Sequence, residues 1–216
     1  MRIAVIGNGR MGRWLAGHLT GQGVKLFGRG NSLADLSTFD VVILAVPLGQ
    51  MLPLVRKLRR IVKPHQLVLD IASVKSHFIK EFRRLPCRKA SIHPMFGPSA
   101  EGMRNQTIIV ISDVGDRKNQ QEATELFHGA RMLRQTTRKH DETMAYVLCL
   151  PYIINFAFME LVGDKFDGHS GPTFRGQKQL AQAILGSSEL AHDVIRFNPH
   201  SRKVLSKLIR KLNMID

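Results

Sequence analysis

The sequence predicts an α/β protein, with a doubly wound, mainly parallel sheet followed by a smaller, all-helical C-terminal domain. Three observations predict it. Short apolar runs rich in β-branched residues, such as Ile3-Ala4-Val5-Ile6 and Val41-Val42-Ile43-Leu44, have the pattern of strands buried on both faces. These runs alternate with helical stretches as far as residue 135, the order that builds a parallel sheet. Beyond Thr136 the apolar spacing is helical and no strand candidate follows.

The first strand ends on Gly7-Asn8-Gly9-Arg10-Met11-Gly12, after which Met11, Trp14, Leu15 and Leu19 fall at helical spacing. Strand, glycine turn and helix in that order form a Rossmann-type dinucleotide fingerprint. Gly7 permits the tight turn, Gly9 lets backbone approach a pyrophosphate, and Gly12 lets helix pack closely on strand. Amides at the helix N-terminus face the phosphate charge. Gly7, Asn8, Gly9, Arg10, Met11 and Gly12 are therefore candidate cofactor contacts.

A second strand, Val24–Phe27, runs into Gly28-Arg29-Gly30-Asn31-Ser32. An enzyme using NAD usually places a carboxylate there for the ribose 2′-hydroxyl. Here no acid occurs until Asp35, and Arg29 offers a guanidinium that suits a 2′-phosphate. The expected cofactor is NADP, with NAD as the alternative if Arg29 is only a solvated turn residue. The third strand, Asp40–Pro47, brings Val46 and Pro47 to the nicotinamide side of the cofactor.

Next come a helix over Met51–Val62, a strand over Leu67–Asp70, a helix over Val74–Leu85 and a short strand over Ala90–Ile92. Thr107–Ile111 reads as a sixth strand, Lys118–His128 as a helix and Arg131–Arg134 as a seventh strand. Residues 1–135 form the expected dinucleotide-binding domain and 136–216 a helical substrate and dimerisation domain. In the latter, the mostly apolar stretch Lys139–Leu161 is interrupted by Pro151. Helices are expected over Thr173–Leu185, Glu189–Ile195 and Ser201–Leu212. Tyr146–Val162 is apolar on most sides, the pattern of a helix buried between partners, so a homodimer is expected through this domain.

Composition narrows the class. Hydrophobic residues make up 44% and charged residues 23%, ordinary for a globular protein. No apolar run is expected to span a bilayer, and the N-terminus reads as a strand rather than a signal peptide. Cys87 and Cys149 lack metal spacing and read as buried thiols of a cytoplasmic protein; no metal site is expected. The net charge of +15 sits mainly in residues 1–135, with 21 Lys and Arg against 9 Asp and Glu. One cluster is Arg56, Lys57, Arg59, Arg60 and Lys63, and another is Arg83, Arg84, Arg88 and Lys89. A nucleic-acid face would be basic too, but aromatics are only 6% and no recognition motif accompanies the charge. The clusters read instead as solvated helix faces that also attract an anionic cofactor and substrate.

In open α/β sheets, ligands bind beyond the carboxyl ends of the strands. That rule draws together Val46-Pro47, the stretch Asp70-Ile71-Ala72-Ser73-Val74-Lys75, and His93 in His93-Pro94-Met95-Phe96-Gly97-Pro98. A histidine there acts as a general base near neutral pH, and Ser73 either orients it, bonds a substrate oxygen or caps the next helix.

These residues carry a resemblance. The glycine loop, D-x-x-S-V-K over Asp70–Lys75 and H-P-M-F-G-P over His93–Pro98 resemble the prephenate/arogenate dehydrogenase family of tyrosine biosynthesis. His140-Asp141-Glu142-Thr143-Met144 resembles that family's H-D-x-x-M, and Phe174-Arg175 its substrate-facing [FY]-R more loosely. The resemblance runs from Met1 to about Asn198. It implies NAD(P)-dependent oxidative decarboxylation of prephenate or arogenate to 4-hydroxyphenylpyruvate or tyrosine. His93 is then the base, aided by Ser73, and Arg175 a carboxylate clamp, unless it is a surface helix residue. Lys75, His140 and Tyr152 join it as substrate contacts.

Two departures are apparent. Tyr152 stands near where the family commonly has a histidine, and a tyrosine cannot become cationic at neutral pH. The helical domain is expected to be a reduced form of the family's, because its members usually run several helices further. The competing expectations are a catalytically silent nucleotide-binding homologue and a different two-domain NADP-dependent reductase.

Overall fold

The structure, a computed structural model, describes residues 1–19 and 23–215. The described chain divides into two compact units, Met1–His140 and Asp141–Asp216.

The first unit is built on seven strands: β1 (Arg2–Ile6), β2 (Gly23–Phe27), β3 (Val41–Leu44), β4 (Leu67–Asp70), β5 (Arg88–Pro94), β6 (Thr107–Ile111) and β7 (Arg131–Gln135). They lie in the order β2-β1-β3-β4-β5-β6-β7, all pairs parallel except the antiparallel pair β5–β6. Helices α1 (Arg10–His18), α2 (Leu48–Leu58), α3 (Ile79–Phe82) and α4 (Arg117–Glu125) lie among them. The runs Ile3–Ile6, Val41–Leu44 and Leu67–Leu69 are buried throughout, which is why they show no polar alternation. The reversal of strand order between β1 and β3 makes the crevice above their carboxyl ends the place where a ligand binds in such sheets.

Three details depart from the expected elements. Instead of a helix over Val74–Leu85, only Ile79–Phe82 is α-helical, because the chain first turns inward to bury Lys75. A 3-10 turn over Leu33–Thr38, capped by the Ser32 hydroxyl accepting from the Ala34 amide, follows β2. β5 runs past Ile92 to Pro94, so His93 belongs to the strand and pairs with Ile109 of β6 beyond the end of β4.

The second unit is helical. α5 (Thr137–Met144) leads into it, then a π turn (Ala145–Cys149), α6 (Leu150–Val162), α7 (Pro172–Leu185), α8 (Ser188–Phe197) and α9 (Ser201–Leu212). Pro151 was expected to interrupt the long apolar stretch, yet the helix continues through it. Proline lacks an amide hydrogen and crowds the preceding turn, and the widened π turn relieves that strain. The continuous helix Thr137–Val162 is therefore long and apolar enough to cross a membrane by length and composition, contrary to the sequence expectation, and 17% of its apolar window is buried. Lys178 of α7 is held by Asp164 at 2.7 Å and Asp167 at 2.6 Å, pinning the loop before α7.

Candidate active site

Gly7 ends β1 at φ +125°, a conformation that L side chains rarely adopt, and a Cβ there would lie 2.2 Å from the Ala45 carbonyl oxygen. A Cβ on Gly12 would lie 1.8 Å from the Gly7 carbonyl oxygen, so only glycine lets α1 start this close to the strand. Gly9 faces open space, where its missing side chain leaves room for a ligand against the backbone. The Asn8 side-chain oxygen accepts from Arg13 Nε at 2.9 Å, bracing the loop from below.

Above this loop opens a cleft of about 710 Å³. Its lining includes Gly7, Asn8, Gly9, Arg29, Val46 and Pro47, six of the nine residues expected to bind a cofactor. Arg10, the first residue of α1, is exposed, and Met11 packs against the core beside Gly12. The cleft also carries residues that sequence reasoning missed. Asn31 closes the turn after β2, its side-chain oxygen accepting from the Gly28 amide at 2.7 Å. Gln50, Pro53, Leu54 and Lys57 present one face of α2 to the cleft, at the i, i+3, i+4, i+7 spacing that could have singled them out. Leu33 and Leu54 supply apolar walls, and Arg29 with Lys57 supplies two cations. A glycine cradle without side chains, apolar walls and two cations fit a dinucleotide. Neither Ser73 nor His93 lines this cleft.

Those two residues lie farther along the same sheet edge, after β4 and near the end of β5. β5 is three strands from β1, roughly 14 Å at the usual strand spacing of about 4.8 Å. Ser73 is half-buried in the turn after β4. His93 is buried, and its Nδ1 lies 3.0 Å from Nε2 of His140, a distance at which one ring donates and the other accepts. Burial holds the His93 imidazole well below the usual histidine range, and the neighbouring His140 and Lys75 push in the same direction. The loop beyond β5 is tied to α1, since Trp14 Nε1 donates to the Ala100 carbonyl at 2.7 Å and the Trp14 ring meets Phe96 edge-on.

Lys75, expected among the substrate contacts, is placed inside the sheet. Its ammonium is fully buried, 2.6 Å from Asp70 Oδ1, and donates to the Ile92 carbonyl at 2.7 Å. Enclosed this way, the ammonium staples the end of β4 to β5 next to His93. His140, also expected to touch substrate, is fully buried against His93 instead.

The remaining expected contacts lie in the second unit. Tyr152 is half-buried in α6, and burial, then the neighbouring Cys149, raises its phenol above the usual range. Arg175 is exposed on α7 and donates to the Ser170 carbonyl. Cys87 and Cys149 are free and buried, their thiols pushed by burial up to about 11 and about 12. Among the described residues no group of three His, Cys, Asp or Glu side chains is arranged to hold a metal ion. The second basic cluster is largely paired: Arg83 with Asp113, Arg84 with Glu81, Arg88 with Glu122.

Fold and glycine cradle together define an α/β protein with a Rossmann-type nucleotide-binding unit. Residues 21–110 match the family model of the prephenate dehydrogenase nucleotide-binding domain. A protein of Methanocaldococcus jannaschii described as a probable arogenate/prephenate dehydrogenase is 22% identical, covering 100% of this chain and 56% of that protein. A 4-amino-4-deoxyprephenate dehydrogenase of Streptomyces pristinaespiralis is 28% identical over 78% of this chain and 60% of its own length. The chain thus spans little more than half the length of these curated relatives. Among solved structures, Synechocystis arogenate dehydrogenase superposes with a TM-score of 0.78 at 23% identity, covering 99% of this chain and 90% of that one. Prephenate dehydrogenase from A. aeolicus, in complex with hydroxyphenyl propionate and NAD+, gives 0.66 at 17%, covering 100% and 99%. In sequence and fold the chain is thus similar to the prephenate/arogenate dehydrogenases.

Proposed function

We propose that this protein catalyses the oxidative decarboxylation of prephenate or arogenate, with NADP preferred over NAD and His93 as the base. The observation that carries the reading is a buried histidine, held neutral by its surroundings, on the same sheet edge as a glycine cradle. A bound oxidised nicotinamide dinucleotide supplies the hydride acceptor. His93 takes the proton of the ring hydroxyl as hydride leaves the carbon that bears it. Loss of carbon dioxide then returns an electron pair to that oxygen, which recovers the proton from His93 as the aromatic ring forms. His93 borrows a proton and gives it back, so it must be neutral at the start of each turnover. Ser73 holds His93 or the ring hydroxyl in line, and Arg175 is the residue proposed to grip a substrate carboxylate. Arg29 and Lys57 in the cleft support the NADP preference.

The same proposal includes a homodimer and a cytoplasmic location. Tyr146, Val147, Ile154 and Leu161 leave an exposed apolar surface on the second unit, which a second copy would bury. Two free, buried cysteines suit a reducing compartment. The test mixes purified protein with prephenate or arogenate and either cofactor and follows nicotinamide absorbance. Absence of turnover in all four combinations overturns the reading, and light scattering at the monomer mass overturns the dimer.

A further inference from the structure

The contact between His93 and His140 decides which nitrogen of His93 does chemistry. Nδ1 of His93 is occupied by Nε2 of His140 at 3.0 Å, with the rings crossing at 72°. A proton can therefore be taken from a substrate only at Nε2 of His93. That nitrogen is basic only if the ring's single proton sits on Nδ1, and then His140 Nε2 must be the acceptor. With the bond reversed, His140 would donate into Nδ1, the His93 proton would sit on Nε2, and the ring would be a donor unable to take a proton.

We propose that His140 is a positioning residue: its Nε2 accepts from Nδ1–H of His93 and locks His93 in the tautomer whose Nε2 is free to act as base. The inference rests on His93 being that base. The groups around the pair agree with it. Lys75 is committed to Asp70 and to the Ile92 carbonyl, so His140 is the ring that meets Nδ1. When His93 takes a proton at Nε2, the bond to a neutral His140 becomes charge-assisted, holding the imidazolium in place until the proton returns. Two buried imidazoles this close do not both carry charge, so His140 must be neutral whenever His93 holds the proton.

Nitrogen-15 NMR of the histidine rings in the full chain tests this. In the unsubstituted protein, His93 is expected to carry its proton on Nδ1 across neutral pH. In His140→Met the proton is expected to move to Nε2, and kcat to fall about 100-fold with KM for prephenate little changed, in the range of general-base contributions. His140→Gln, whose side-chain oxygen can accept from Nδ1–H, is expected to restore the tautomer and most of kcat. A proton on Nε2 of His93 in the unsubstituted protein, or a His140→Met variant with unchanged tautomer and kcat, overturns the proposal. If the tautomer is as expected but no substrate turns over, the dehydrogenase reading fails while the assignment to His140 stands.

Discussion

Lys75 and Asp70 form an ion pair 2.6 Å long with both side chains fully buried. Asp70 Oδ1 also accepts from the Ala72 amide at 2.9 Å, and the ammonium donates to the carbonyl of Ile92, the residue before His93. The D-x-x-S-V-K motif is thus a brace within the sheet as much as a carrier of Ser73.

Breaking that brace leaves one buried charge uncompensated. Lys75→Met is expected to cost about 3–5 kcal/mol in urea unfolding, and adding Asp70→Asn should recover much of the loss. A Lys75→Met variant as stable as the parent would show that the pair carries no such weight.

Arg29 and Lys57 face the cleft without a carboxylate among its lining residues. Arg29→Asp should lower the preference for NADP over NAD by about 10- to 100-fold, the range of a charged hydrogen bond worth roughly 1.5–3 kcal/mol. Lys57→Gln should move the ratio the same way by a smaller factor. An unchanged kcat/KM ratio in Arg29→Asp removes the 2′-phosphate assignment.

His93 makes stability depend on pH. Its folded-state value lies well below the ordinary 6.5, so the unfolded chain binds the extra proton first. Its contribution is present in full above about 6.5 and is lost progressively as pH falls below that, toward the folded-state value. His93→Asn should flatten this part of a stability profile between pH 7 and 5. A variant whose profile parallels the parent's would place the titration elsewhere.

The fingerprint glycines separate folding from binding. Gly12→Ala drives a Cβ to 1.8 Å from a backbone oxygen and should cost about 1–3 kcal/mol of stability. Gly9→Ala meets nothing within 4 Å, so stability should change by less than about 0.5 kcal/mol while dinucleotide affinity falls. Unfolding curves and a fluorescence titration with NADPH check both, and a Gly9→Ala variant that binds like the parent would take the pyrophosphate away from this loop.

The sheet could be read from sequence because its strands are buried on both faces and need no partner to declare themselves. Leu67–Asp70 and Thr107–Ile111 have the bounds their apolar runs suggest. What escaped depended on contacts between distant residues. Lys75 reads as a substrate contact until Asp70 and Ile92 O are seen to enclose it, and that enclosure also shortens the helix that follows. His93 reads as a loop residue because β6, which extends the strand around it, pairs antiparallel from 15 or more residues away. Lys57 carried a helical-period signal but was hidden in a cluster of like charges.

The bond from Trp14 to the Ala100 carbonyl has a mechanical consequence. α1 begins at the glycine cradle, and Trp14 lies one turn into it, fastened to the loop that follows His93. The glycine cradle and the loop after His93 therefore share a rivet: a displacement of the start of α1 is carried to that loop as well.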